Sequence, residues 1–418
     1  MTDNRKLIKI ATAGSVDDGK STLIGRLLYD TNSLTTDKIE AIQRNSKQKG
    51  FDYLDFSLAT DGLVAEREQG ITIDVAHIYF STEKANYIIA DTPGHVEYTR
   101  NMVTGASTSQ VAIILIDARK GVIEQTYRHF FINNLLRVSH IVVAINKMDL
   151  VEYDEETYLK IKEDFEVLIK KSNYTSDQIS FIPVSALNGD NIAQKSEKMS
   201  WYVGNSLLDH LEVLEPSDLQ ESTAARFAVQ YVIRPKTSSY HDFRGFSGKL
   251  HGGRLAVGDD ITVLPSFTQS RIKTIEFFDQ EYDEALPGSS VTITLEDEVN
   301  VSRGDMLVKS DELPTSEKQL SAIICQVNRK PLTVGSKLIL QHGVNSVLAK
   351  VDSIESVIHT DFSGEEATEK LSLNDIGKVN FRLSKPIHFD SYVNNKNNGS
   401  FILIDEATLD TVSVGFIN

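Results

Sequence analysis

The 418-residue sequence has little cysteine, a shortage of positive charge and no long hydrophobic run, and each lack closes off a class of function. Cysteine occurs once, as Cys325, so no internal disulfide forms and a zinc cluster lacks its thiolate ligands. Its apolar surroundings, SAIICQV, read as a strand with a buried structural thiol. Lys and Arg number 43 against 59 Asp and Glu, a formal net charge of −16. That balance disfavours indiscriminate binding to nucleic acid, whose affinity comes mainly from cations on phosphates. Residues 234–254, RPKTSSYHDFRGFSGKLHGGR, run the other way; they form either a local basic face or the solvated surface of a barrel. The longest apolar runs, VAIILI and IVVAI, fall far short of the roughly 18 residues that cross a bilayer. The first residues, MTDNRKLIKIATAG, lack the apolar core of a signal peptide. No membrane span, no nucleic-acid partner and a cytoplasmic location are therefore expected.

A chain of this length is too long for one ordinary core. Up to about residue 215 it alternates near-continuous apolar runs, LIKIATA, ANYIIA, VAIILIDA, HIVVAIN and FIPVSA, with helical stretches such as STLIGRLLYD and EETYLKIKEDFEVLIKK. This predicts an α/β domain over 1–215, a mostly parallel sheet with helices on both faces. From about residue 224 the texture becomes short strands separated by Gly, Pro, Asn and Asp, which predicts antiparallel β-barrels. A further break near KSDELPTSEKQ divides them into 224–310 and 317–418. NNKNNGS, residues 394–400, reads as a hairpin loop, because Asn and Gly tolerate positive φ.

Gly14-Ser15-Val16-Asp17-Asp18-Gly19-Lys20-Ser21 fits the pattern G-x-x-x-x-G-K-[ST] between a strand-like run and a helix that continues with Thr22. Backbone N–H groups and the positive helix end would converge on one anion. Lys20 would reach the β- and γ-phosphates, and the Ser21 hydroxyl would hold Mg²⁺. HIVVAI runs into Asn146-Lys147-Met148-Asp149 at the carboxyl end of a strand, where ligands of open α/β sheets bind. A carboxylate at Asp149 can accept from both N1–H and the 2-amino group of guanine, which adenine cannot match. Ser185-Ala186-Leu187 closes another strand beside it. ANYIIA delivers Asp91-Thr92-Pro93-Gly94-His95: Asp91 suits a contact to the metal through water, and Gly94 a close backbone approach to a γ-phosphate. Thr72, in EREQGITID, would complete the Mg²⁺ contacts only when a third phosphate is present, which makes a switch. His95 is expected to orient the attacking water as the catalytic residue, because phosphoryl transfer is mostly positioning and electrostatics. The expected cofactors are GTP and Mg²⁺.

The order GSVDDGKS, EREQGITID, DTPGH, NKMD, SAL and then two barrels resembles the translation-factor class of GTPases, of which elongation factor Tu is the familiar member. Translation factors usually read G-H-V-D at the loop, where this chain has Ser15, with Asp18 following. The longer runs GSVDDGKSTLIGRLLYDT, DFSLATDGLVAEREQGITIDVAHIYFST and DTPGHVEYTRNMVTGAST, with FILIDEATLDTVSVGFI near the end, resemble the large subunit of bacterial heterodimeric ATP sulfurylase. The resemblance implies a GTPase that partners a small adenylyltransferase subunit, which makes adenosine 5′-phosphosulfate and pyrophosphate from ATP and sulfate. It also implies an apolar gate of Val16 and Ile71 beside His95, residues that plain packing would equally explain. The sequence contains no S-G-G-x-D-S loop, no H-x-G-H pair and no second G-K-[ST] loop, so no adenylyltransferase site is found in this chain. The rival reading is an elongation-factor-like carrier of aminoacyl-tRNA, which shares fold and nucleotide site; against it stand Ser15, Asp18 and Thr92.

Overall fold

Apolar runs that do not alternate need cover on both sides, and in the amino-terminal unit they find it in one six-stranded sheet. The computed structural model describes residues 5–48, 50–59, 74–94, 99–215, 223–235, 243–278 and 280–418. They divide into two units, residues 1–217 with 359–364 and residues 218–358 with 365–418. The strands of the first are β1 (Lys6–Ala13), β2 (Ala76–Ser81), β3 (Ala85–Asp91), β4 (Val111–Asp117), β5 (His140–Asn146) and β6 (Ile179–Pro183). Its helices are α1 (Lys20–Asp30), α2 (Thr36–Gln48), α3 (Thr99–Ser107), α4 (Glu124–Leu135), α5 (Glu155–Ile169) and α6 (Leu207–Val213).

The strand order is β2-β3-β1-β4-β5-β6. All neighbours are parallel except β2 with β3. Every residue of β4 is buried. On one face Leu23, Ile24 and Leu27 of α1 and Leu207 and Leu211 of α6 join Ile10, Ile89, Ile113 and Ile182 in one cluster. Side chains alternate along a strand, so Phe181 lies on the face opposite Ile182; there it meets Phe165 of α5, which meets Phe130 of α4. Strand β2, AHIYFS, has one buried residue, Phe80. Its apolar residues alternate, with Ile78 and Phe80 turned to the core and His77 and Tyr79 exposed, as suits an edge strand paired with β3. Among the described residues no helix is long and apolar enough to cross a membrane.

The second unit holds two closed six-stranded antiparallel barrels. The first comprises β7 (Arg226–Ile233), β8 (Gly245–His251), β9 (Asp260–Leu264), β10 (Thr268–Phe277), β11 (Ser290–Leu295) and β12 (Met306–Lys309). Their order is β9-β12-β7-β8-β11-β10, closed by pairing of β9 with β10. The second comprises β13 (Thr315–Gln326), β14 (Lys337–His342), β15 (Asn345–Ile358), β16 (Ile376–Phe389), β17 (Ser400–Ile404) and β18 (Thr411–Ile417). Here the order is β14-β17-β18-β13-β16-β15, closed by β14 with β15. Inward residues alternate along β15, where Val347, Ala349 and Val351 enter the core. Closure removes the free edges that short strands otherwise expose.

One expectation is corrected. NNKNNGS is not a hairpin loop: it links β16 to β17, which are not neighbours in the barrel. No residue from 394 to 400 has positive φ. The asparagines serve through their side chains instead. Asn395 Oδ1 accepts from the backbone N–H groups of Asn397 and Asn398, and Asn398 Nδ2 donates to Asp390 at 2.7 Å.

Candidate functional site

The parallel strands end on one edge of the sheet, and four segments meet there. The loop after β1, residues 14–19, turns into α1. Gly19 sits at φ 96°, a region open to glycine and costly for other residues. A Cβ on it would lie 2.5 Å from Asn146 Nδ2. Lys20 is buried at the helix start, and its Nζ donates to the carbonyls of Gly14 at 2.7 Å and Ser15 at 3.3 Å. Burial lowers its pKa, with Asp91, Asp18 and Asp17 opposing. Asp18 folds back to accept from the Ser15 N–H at 2.7 Å and lies 3.5 Å from Lys120 Nζ. Burial raises its pKa.

From the end of β3, buried Asp91 accepts from Thr12 Oγ1 at 3.2 Å, and the Thr92 hydroxyl donates to the Thr12 carbonyl. Pro93 and Gly94 follow, both buried. A Cβ on Gly94 would collide with the Gly14 carbonyl and come within 2.6 Å of Lys20 Nζ. Close backbone approach therefore demands glycine here.

The end of β5 meets the same loop from the other side. Asn146 Nδ2 donates to the Asp18 carbonyl at 2.8 Å, and Asn146 Oδ1 accepts from the Ala186 N–H at 2.9 Å. One side chain thereby ties the glycine loop to the 185–187 turn. Lys147 Nζ donates to the Asp17 carbonyl and pairs with Asp117 at 3.0 Å. Met148 is fully buried, and its backbone N–H donates to Val184. Asp149 is partly exposed and carries no hydrogen bond or ion pair among the described residues. Its carboxylate is free to accept from a ligand. Ser185 is buried, with its Oγ accepting from the Asn188 N–H, and the Leu187 carbonyl accepts from Arg26 at 3.4 Å.

A cleft of about 350 Å³ opens at this junction. It is lined by residues 15–17 and 19–22, with Ser57, Gly94 and Lys147. Thr72, Ile71 and His95 lie outside the described residues. Two participants were not singled out from the sequence. Ser57 belongs to a short 3-10 segment, Phe56–Ala59, that packs on α1 and carries no motif of its own. Asp117 ends β4, buried, gripped by Arg119 through two side-chain bonds and one from its backbone N–H, and by Lys147. Burial disfavours its charge, but Arg119 and Lys147 outweigh this and hold its carboxyl well below the usual range. The available signal was an acidic residue closing an apolar strand. A loop of N–H donors with a buried lysine, beside an unpaired carboxylate, can hold a phosphate chain at one end and a base edge at the other.

Residues 5–222 match the elongation factor Tu GTP binding domain, and residues 319–418 match the GTP-eEF1A C-terminal domain-like family. Sulfate adenylyltransferase subunit 1 of Colwellia psychrerythraea is 46% identical over 418 residues, covering 100% of this chain and 88% of that protein. The protein of the same name from Bacteroides fragilis is 46% identical over 99% of this chain and 86% of its own length. That from Psychromonas ingrahamii is 47% identical over 100% and 88%. With the GTP-binding domain at its amino-terminal end and such identity over its whole length, the chain belongs to the sulfate adenylyltransferase subunit 1 family.

Proposed function

We propose that this chain is the GTP-hydrolysing subunit of a sulfate adenylyltransferase. Its hydrolysis of GTP would drive a small partner subunit, joined to it as a heterodimer, to form adenosine 5′-phosphosulfate and pyrophosphate from ATP and sulfate, in the cytoplasm, for sulfate assimilation. In this reading residues 1–215 form the GTP-binding domain, and 224–310 and 317–418 the two barrel domains. The observation that carries it is the meeting of Gly19 and Ala186 at Asn146. One side chain sets the phosphate loop and the base-reading turn on a single nucleotide.

The residues suit a magnesium nucleotide. Ser21 lines the cleft and Asp91 is buried at the adjoining strand end, a sparse set of oxygen donors that suits an ion held mainly by phosphates and water. Ser21 would hold it directly and Asp91 through water, with Thr72 as the switch contact. Bound there, magnesium would draw charge from the phosphates. Lys20 would exchange its carbonyl partners for the β- and γ-phosphates, and its desolvated ammonium interacts strongly there because little water screens it. The Gly94 backbone would face the γ-phosphate, and His95 would orient water. Asp149 would accept from guanine, and the 185–187 turn, tied to the glycine loop through Asn146, would stand beside the base.

Coupling to adenylation can be no larger than the partner's difference in affinity between the GTP and GDP forms. Two measurements check the reading. Calorimetric titration should show guanine nucleotides binding far more tightly than adenine nucleotides; equal affinities would refute it. The chain mixed with its small subunit, ATP and sulfate should form product in a GTP-dependent manner, and Lys20→Ala should remove that dependence.

A further inference from the structure

The turn that carries Asp149 is held from behind by a network that does not line the cleft. Lys147, Glu152 and Tyr153 have left-handed φ of 63°, 55° and 59°, a conformation that non-glycine residues keep only where their surroundings impose it. Tyr153 is fixed at three points. Its backbone N–H donates to the Met148 carbonyl at 2.8 Å, its carbonyl accepts from Trp201 Nε1 at 3.0 Å, and its phenol donates to Asp190 Oδ2 at 2.8 Å. Lys198 Nζ lies 3.1 Å from both the phenol oxygen and Asp190 Oδ2.

Asp190 belongs equally to the neighbouring turn. Its backbone carbonyl accepts from the Ser185 N–H at 3.1 Å, while Ser196 Oγ donates to its Oδ1 at 2.7 Å. Asn188 Nδ2 reaches back to the Tyr153 oxygen at 3.2 Å. A single aspartate thus joins the segment bearing Asp149 to the segment bearing Ala186. Its side chain is 10% exposed, so these bonds are little diluted by solvent.

We propose that Tyr153, Asp190 and Lys198 are positioning residues for base selection, clamping the two guanine-reading turns at a fixed separation. The proposal rests on the guanine-nucleotide reading above. The phosphate loop keeps internal bonds, Ser15 N–H to Asp18 and Lys20 Nζ to the Gly14 and Ser15 carbonyls, that none of the three clamp residues touches, so loosening the clamp acts first on the Asp149 acceptor and less on phosphate binding. Guanine offers two donors to Asp149, whereas hypoxanthine, which lacks the 2-amino group, offers one. Displacement therefore costs GDP more than IDP.

The test uses the full chain carrying Tyr153→Phe or Asp190→Asn, titrated by calorimetry with GDP and IDP beside thermal melting. The clamp predicts that the preference for GDP over IDP narrows by about threefold or more, the effect of one weakened hydrogen bond. A purely structural role lowers the melting temperature and leaves that ratio unchanged, and this result overturns the proposal. Lys198→Met, at a half-exposed side chain, is the second variant should Asp190→Asn fail to fold; a narrowed ratio supports the clamp and an unchanged one refutes it. If the unaltered chain shows no preference for GDP over ADP, the guanine reading fails and the clamp with it, an outcome told apart because it arises without any substitution.

Discussion

Gly19 must be glycine for two separate reasons, its left-handed φ and the amide of Asn146 pressed against it. An alanine meets a backbone cost of about 1–2 kcal/mol and also displaces the side chain that joins the phosphate loop to the 185–187 turn. Gly19→Ala should therefore weaken GDP binding by roughly five- to thirtyfold, the span of that penalty. Calorimetry checks it, and an unchanged affinity would mean that the two loops do not act together. At this scale the spacing of Gly14, Gly19, Lys20 and Ser21 was legible because a phosphate loop draws its donors from consecutive residues. Asp117 was not legible, since its role comes from Arg119 and from Lys147, 30 positions on in the chain. Cys325 was read as a structural thiol, and the fold buries it in β13, where burial pushes its pKa up to about 12.

At the scale of elements, α1 does more than present the phosphate loop. Gly25 lets the Phe56–Ala59 segment approach the helix so closely that a Cβ would collide with the Phe56 carbonyl. Helix propensity alone favours alanine at such a position by up to about 1 kcal/mol. The contact decides the other way. Gly25→Ala should destabilise the fold by about 1–3 kcal/mol, the range for forcing atoms into a packed site, and should shift the segment that brings Ser57 to the cleft. A urea midpoint that rises instead of falling would show that the segment moves away freely. The same distinction explains which elements were readable. β1, β3, β4, β5 and β6 announce themselves because burial on both faces makes continuous apolar runs. The edge strand β2 shows only a short alternation, with Ile78 and Phe80 facing the core, and the Phe56–Ala59 segment shows no periodic signal at all, since close approach leaves none.

Across the whole of the second unit the two barrels share a buried ion pair. Arg226 of β7, 3% exposed, binds both oxygens of Asp390 at 2.8 Å and also the Glu312 carbonyl, while Asp390 accepts from Asn398. Removing one partner of a buried pair leaves a charge without its counterion and costs about 3–5 kcal/mol. Arg226→Met should lower the unfolding midpoint of the protein accordingly and leave GDP affinity unchanged, because the nucleotide site lies in the other unit. Asp390→Asn in the same chain should recover part of the loss, and additive losses would argue that the pair is not the source of the effect.

Local features were determined by the sequence alone: a glycine-lysine loop between strand and helix, an acidic residue closing the β5 turn that is proposed to read guanine, a change from α/β to all-β texture, and a family resemblance that identity over the whole chain upheld. Each of these resides in residues a few positions apart, where spacing and periodicity translate directly into geometry. Only the tertiary structure decided which distant groups meet. Asn146 reaches Asp18 across 128 positions, Tyr153 reaches Asp190 across 37, and Arg226 reaches Asp390 across 164. Those meetings follow from the order in which strands are laid side by side to bury the sheet and close the barrels. Strand order is a cooperative outcome of burying every apolar face at once, and no short stretch of residues encodes it.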